Sequence, residues 1–285
     1  MYRFFILSLL FVYQHLAWAN YDSTSQVSSF AIPNSSVYEI KSEKLSRTYS
    51  IFVAVPKGYS KTAKTKYPMV IVNDGPYAFP LAASSLSVPM SAGVLEKVIL
   101  VGIGYSKGDN MMHSRIRDYT PSTDANWRAF KPGQAQQYLS FIESELLPFI
   151  EARYSIDQNK RTLVGHSAGG LFASYVLLNK PDLFESYVVL SGAFFWDKRL
   201  LFKQEREYAK NHDDLAARVY FAVGTHETSK RYPFQWLEDQ TEFVKQLSAR
   251  RYANLNIKQD VIEEGLHETT FPIGFMRAMQ WLYAR

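Results

Sequence analysis

Cysteine is absent from all 285 residues, which removes disulfides, thiolate nucleophiles, thiolate metal sites and lipidation through an amino-terminal cysteine. Any chemistry must therefore rest on oxygen, nitrogen or carboxylate groups. Long apolar runs are missing too: the longest, Phe4 to Tyr13, is followed closely by His15 and falls short of the about 20 residues a bilayer span needs. No strong excess of either charge is present, the formal net charge being +5. The short basic groups KTAKTK (61–66) and Arg250-Arg251 accompany no recognisable nucleic-acid module, so they read as solvated surface and no nucleic-acid partner is expected. Internal repeats and low-complexity linkers are lacking as well. A composition 47% hydrophobic and 21% charged is a globular balance, and at this length it favours one large domain over two small ones.

What is present begins with a leader. Residues 1–19, MYRFFILSLLFVYQHLAWA, join a basic Arg3 to an apolar stretch and a small-x-small ending at Ala17 and Ala19, the pattern of a secretory signal peptide cleaved after Ala19. The expected organisation is a signal peptide at 1–19, an irregular serine-rich arm at 20–36 and an α/β domain at 37–285. The mature chain is expected to be periplasmic or secreted, with no stable membrane insertion.

Strand-like pieces at Tyr38–Leu45 and Thr48–Val55 are followed by short apolar runs at Tyr67–Val72, Lys97–Ile103, Ser186–Leu190 and Val219–Val223, with a last strand of mixed polarity at Leu255–Ile262. Gln134–Tyr154 reads as a helix, because Leu139, Ile142, Leu146, Phe149 and Ile150 recur at spacings of three and four; Pro148 is placed to kink it. Phe234–Leu247 and Phe271–Tyr283 read as further helices. Short buried strands alternating with helices predict an α/β fold with a mostly parallel central sheet covered on both faces.

The segment RTLVGHSAGG at 161–170 carries the chemistry. An apolar strand ending at Val164 and an amphipathic helix over Leu171–Leu178 leave Gly165, His166, Ser167, Ala168 and Gly169 to make a sharp turn, which is the strand–turn–helix context that GxSxG requires. Glycines on either side let the two backbones approach, and a serine at a helix amino terminus has partial positive charge where an oxyanion develops. A serine hydroxyl also needs a base. Among six histidines, His166 adjoins the serine but is expected to face elsewhere, whereas His267 in EEGLHETTFP follows the last strand, where the fold would deliver a base. The acid should fall between them in the chain. Glu227 in GTHETSK, at the end of a strand, leads; Asp239 is the reserve, and a serine–histidine dyad without a close acid stays open.

Taken together, GHSAGG, ELLPFIEARY (145–154), RIRDYTP (115–121), NDGP (73–76) and GLHETT (265–270) resemble the esterase D-like branch of the α/β-hydrolase superfamily, from about Tyr38 to Arg285. RDYTP upstream of GHS is most similar to the periplasmic trilactone-siderophore esterases acting on enterobactin and salmochelin. The resemblance implies the α/β-hydrolase fold, a small-molecule ester substrate, no cofactor, Ser167 as nucleophile, His267 as base, and Glu227 where the family carries its acid. It also implies an oxyanion hole from the amide of Ala168 and a second amide after the Asp74-Gly75 pair. Here Pro76 follows and has no N–H to give, so the second donor is Tyr77 or is missing.

Softer candidates remain. Phe195 and Trp196 in SGAFFW offer an aromatic wall for an aryl or acyl group, against ordinary core packing. Arg115 and Arg117 could meet an anionic substrate, or pair internally with groups such as Asp118. His113 and the His212, Asp213, Asp214 cluster lack metal-ligand spacing, so no metal is expected. A catalytically idle binding fold disabled at Pro76, and an acyltransferase sharing the acyl-enzyme, are the alternatives to hydrolysis.

Overall fold

The computed structural model describes residues 30–62 and 64–285. The expected signal peptide and residues 20–29 of the expected arm lie outside the described residues. Ile32–Arg285 form one compact unit. Its frame is an eight-stranded sheet in the order β1-β2-β4-β3-β5-β6-β7-β8. The strands are β1 (Ser35–Ser42), β2 (Arg47–Ala54), β3 (Tyr67–Val72), β4 (Ile99–Ser106), β5 (Ile156–His166), β6 (Ser186–Leu190), β7 (Asp214–Gly224) and β8 (Ala253–Ile262). Pairing is parallel from β4 through to β8, and antiparallel where β2 joins β4 and β1 joins β2. Strand β1 begins at Ser35, so residues 35 and 36 of the expected arm are already paired.

The central strands are apolar on both sides because both faces are covered. Successive side chains point to opposite faces: Met69, Ile71, Leu163, Tyr187, Val189, Val219 and Phe221 enter one buried cluster, while Val70, Val72, Val164, Val188, Leu190, Tyr220 and Ala222 enter the other. The first cluster is closed by Tyr138, Phe172, Phe202 and Phe243 from α3 (Ala135–Phe141), α5 (Ala168–Asn179), α6 (Trp196–Asn211) and α7 (Trp236–Ala249). The second is closed by Phe79, Leu86, Phe271, Phe275 and Met279 from α1 (Gly75–Ser91) and α8 (Thr270–Tyr283). Helix α2 (Met111–Tyr119) lies between β4 and α3 in the chain.

The long expected helix is present as α3, a π turn at Ile142–Leu146 and α4 (Leu147–Arg153). Pro148 cannot donate to the ladder, and the break falls just before it: the Leu147 N–H reaches five residues back to the carbonyl of Ile142. Helices α1, α2 and α6 had no counterpart in the sequence reading. α1 holds Pro80 and Pro89 in its interior, and α6 opens with Asp197, Lys198 and Arg199 all at positive φ; both features break the helical pattern.

Parallel strands place functional loops beyond their carboxyl ends. The loops after β3, β5, β6, β7 and β8 bring together Asp74, Ser167, Ser191, Glu227 and His267.

Candidate active site

Strand β5 ends at His166 and α5 begins at Ala168, so Ser167 alone makes the turn, at φ 60° and ψ −119°. Such a backbone costs a non-glycine residue about 1–3 kcal/mol and persists only when its surroundings over-determine it. Here they do: the Ser167 N–H donates to the Leu190 carbonyl at 2.9 Å, and the Ser167 carbonyl accepts from the amides of Leu171 (3.0 Å) and Ala193 (3.1 Å). The turn is so tight that a Cβ on Gly165 would stand 1.9 Å from the Gly169 carbonyl oxygen. Alanine at 165 would force the elbow apart.

Ser167 lines a cleft of about 270 Å³ with His267, His166, Asp74, Tyr77, Tyr105, Met111, Arg115 and Glu268. His267 is held from three sides. Its Nδ1 lies 2.7 Å from Glu227 Oε2, its N–H donates to the Tyr232 hydroxyl at 3.2 Å, and its ring lies 4.1 Å from that of Trp236, tilted by 32°. A neutral imidazole that donates from Nδ1 to a carboxylate keeps Nε2 as a proton acceptor. Ser167 Oγ makes no hydrogen bond to a described residue; in unliganded hydrolases that bond is commonly long and tightens around substrate.

Glu227 is fully buried. Its other oxygen, Oε1, accepts from Ser191 Oγ (2.7 Å), the Gly224 N–H (2.7 Å) and Thr270 Oγ1 (2.6 Å). The loops bearing the acid and the histidine touch backbone to backbone: a Cβ on Gly224 would lie 2.2 Å from the Gly265 carbonyl oxygen. Gly265 thus serves close approach. The reserve acid is elsewhere, with Asp239 paired to Arg199 at 2.9 Å; burial pushes its carboxyl up against the pull of that arginine.

On the far side of Ser167, Asp74 adopts a left-handed conformation with φ 58° and ψ 41°. Its N–H donates to the Tyr119 hydroxyl at 3.2 Å. Its carboxylate is gripped by Arg115, Nε to Oδ1 at 2.7 Å and Nη2 to Oδ2 at 3.2 Å. Burial alone would lower the Arg115 guanidinium, but the Asp74 carboxylate outweighs it and holds the group above its usual range. The charge of Arg115 is therefore spent on Asp74, and the residue clamps the β3–α1 loop beside the elbow. Arg117 is likewise committed, to Asp118 (2.8 Å) and Asp109 (2.5 Å).

The amide of Tyr77 does not serve as expected. It donates to the Asp74 carbonyl at 2.9 Å, beside Ala78 at 2.8 Å, because the first turn of α1 closes on that oxygen. The amides of Gly75 and Ala168, each the first residue of its helix, show no hydrogen-bond partner among the described residues. First-turn amides have no carbonyl four residues back within their helix. Pro76, in the first turn of α1, costs the helix nothing.

Phe195 and Trp196 lie outside this cleft. Phe195 stacks on Phe234, centroids 3.9 Å apart and planes 2° apart, in a separate cavity of about 690 Å³ lined also by Trp127, Phe130, Arg128 and Lys198. Trp196 is buried, its indole donating to Ser122 Oγ at 3.1 Å. Trp236 lines neither space; its ring centroid lies 5.4 Å from that of Phe195 and 4.1 Å from that of His267. His166 does not face away: its ring lies 4.6 Å from that of His267. The sequence reading also missed Ser191, Thr270, Tyr232 and Trp236. Thr270 stood in the quoted GLHETT and Ser191 in SGAFFW, but only the fold reveals that both donate to Glu227.

Residues 42–271 match the family described as "Putative esterase". The ferri-bacillibactin esterase of Bacillus subtilis is 34% identical over 188 residues, 62% of this chain and 64% of that protein, so the match spans less than two thirds of the relative. The siderophore triacetylfusarinine C esterase of Aspergillus fumigatus is 25% identical over 73% of this chain and 72% of its own length. Among solved structures, the BES protein of Bacillus cereus superposes with a TM-score of 0.80 at 25% identity, covering 92% of this chain and 99% of that one. The sheet with its flanking helices is of the α/β-hydrolase type shared by these siderophore esterases, and the chain belongs to the putative esterase family.

Proposed function

We propose that this chain hydrolyses carboxylic esters through an acyl-enzyme on Ser167, with His267 as general base and acid and Glu227 as the acid that orients it. The observation that carries the reading is the convergence of a strained serine and a carboxylate-bound histidine on one cleft. His267 Nε2 takes the Ser167 proton as Oγ attacks the ester carbonyl, and Glu227 balances the imidazolium that forms. The amides of Ala168 and Gly75 stabilise the tetrahedral oxyanion, at the positive ends of α5 and α1. His267 then protonates the departing alkoxide, and water, activated by the same imidazole, releases the acid.

The names of the relatives support a siderophore-type ester, including trilactones, as the substrate. Export to the periplasm or beyond is part of the proposal and rests on the leader at 1–19. No described helix is long and apolar enough to cross a membrane. The idle-fold alternative draws on Pro76; against it, the Gly75 amide shows no partner among the described residues and is available as the second donor.

The test is Ser167→Ala. Hydrolysis of p-nitrophenyl acetate and of a catecholate trilactone should fall by about 10⁶, and labelling by a fluorophosphonate should vanish. Undiminished turnover would defeat the proposal. Transfer of the acyl group to an added alcohol in preference to water would convert the reading to an acyltransferase.

A further inference from the structure

His166 is the first of the two variable residues of GxSxG, and nothing in that pattern assigns it work. Its Nε2 stands 2.8 Å from the main-chain carbonyl of His267. A carbonyl only accepts, so Nε2 carries the proton and donates it. This bond joins the residue immediately before the serine to the residue that bears the base, 101 positions later. The two rings also lie against one another at 4.6 Å and 35°, and Phe271 meets the His166 ring edge-on at 6.3 Å.

The other restraints on His267 come from its own side of the cleft: Glu227 and Trp236 hold the ring and Tyr232 the amide. His166 is the one described residue of the elbow that hydrogen-bonds to it. Resting on the reading of Ser167 and His267 as nucleophile and base, we propose that His166 is a positioning residue, whose Nε2–H fixes the His267 backbone at a set distance from the serine.

Such a role requires His166 to stay uncharged and keep its tautomer. Burial, then the neighbouring His267 and Arg115, hold its pKa well below the ordinary imidazole value, against a smaller upward pull from the bond to the His267 carbonyl. A charged ring here would face the imidazolium formed during catalysis. The neutral ring lies against it without that repulsion.

Two substitutions separate the hydrogen bond from the ring. His166→Phe keeps a flat ring against His267 and removes the donor; His166→Gln places an amide N–H near the Nε2 position and removes the ring. With p-nitrophenyl acetate, H166F should lose about 10- to 100-fold in kcat with KM within twofold, the size of effect a displacement near 1 Å produces. H166Q should recover most of that loss. Circular dichroism and a thermal melt establish that each variant is folded, and His166→Leu replaces H166F in the comparison if the phenyl ring is not accommodated. Wild-type kcat in the donorless variant, or an equal loss in H166Q and H166F, overturns the proposal. S167A run in parallel keeps the two readings apart: an inactive S167A beside a fully active H166F sinks the positioning role alone, whereas an active S167A sinks the nucleophile and the positioning role with it.

Discussion

Two glutamates are wholly removed from solvent, and they are built differently. Glu227 and Glu205 are both 0% exposed. Glu205, on α6, accepts from Arg250 through Nε (2.9 Å) and Nη2 (3.2 Å), from Tyr252 (2.9 Å) and from Gln246 (2.5 Å). A guanidinium is charged at every working pH, so Glu205 is permanently matched. Glu227 accepts from two hydroxyls, one backbone amide and one imidazole, and none of these is a fixed cation. Its charge is matched by a neighbour only when His267 holds a second proton, the state the proposed mechanism reaches while the ester is under attack. The first arrangement fastens α6 to α7 and to the turn before β8; in the proposed mechanism the second supplies an electrostatic preference for the transition state.

The comparison breaks most sharply on Glu227→Gln. The amide can still hydrogen-bond to His267 but selects the wrong tautomer and cannot balance an imidazolium, so kcat should drop by about 10⁴, as for the equivalent change in a serine protease triad. KM should move little. A loss below tenfold in hydrolysis of p-nitrophenyl acetate would demote Glu227 to a structural carboxylate like Glu205 and leave a serine–histidine dyad.

Much of this contrast was written in the chain and some was not. Ser167, His267 and Glu227 are visible because their surroundings are local: a glycine-flanked serine between strand and helix, and polar residues just beyond apolar strands. What the sequence hides is where each donor points after folding. Tyr77 followed Pro76 and looked free, but α1 closes its first turn with that amide. Arg115 looked like a cation awaiting an anion, yet Asp74, 41 residues away, was already holding it. Phe195 was offered as a wall for the substrate and lies in a separate cavity, since the stack with Phe234 pairs loops distant in the chain. The sheet was legible because burial on both faces leaves continuous apolar runs. α1 was hidden by its prolines, and α2 by the polar and charged residues of MMHSRIRDY.

Next in size is Glu205→Gln. Arg250 and Tyr252 would face an amide with one acceptor in place of a carboxylate with two. Removing a charged hydrogen-bond partner from a buried cluster costs about 1–3 kcal/mol, and the figure belongs at the lower end because the Arg250 side chain is itself 35% exposed. Unfolding in urea should show the loss while kcat stays within twofold of wild type. A tenfold fall in kcat with unchanged stability would erase the distinction between the two glutamates.

Smaller still are the hydroxyls on Glu227. Ser191→Ala and Thr270→Val each take one donor from Oε1 and leave the Gly224 amide in place. A single hydrogen bond to a charged group contributes about 1.5–3 kcal/mol, and sharing among three donors with relaxation of the rest should reduce the effect to about tenfold in kcat. The double variant should lose more than either alone. If both single variants match wild type, the Gly224 amide suffices and the hydroxyls only fill space.

Protons test the same contrast with the least disturbance. His166 is kept neutral in the folded protein, chiefly by burial, while in the unfolded chain it titrates near the ordinary imidazole value of about 6.5. Between that value and its lower folded value the unfolded state binds more protons, so this residue makes the protein less stable as pH falls, by at most about 1.4 kcal/mol per pH unit. Above about pH 6.5 the contribution is constant. The groups facing the two histidines include Arg115, Asp74, Tyr77, Tyr105, Glu227, Tyr232 and Glu268, so the total pH dependence is a composite and the informative quantity is a difference. H166Q has no proton to gain at this position. Urea unfolding of wild type and H166Q at pH 7.5, 6.5 and 5.5 should give curves that are parallel above pH 6.5 and diverge below it, wild type falling faster. Parallel curves throughout would mean that His166 takes up a proton in the folded state as readily as in the unfolded one. Its Nε2–H would then no longer belong to a neutral ring, and the site around Glu227 would carry a second cation after all.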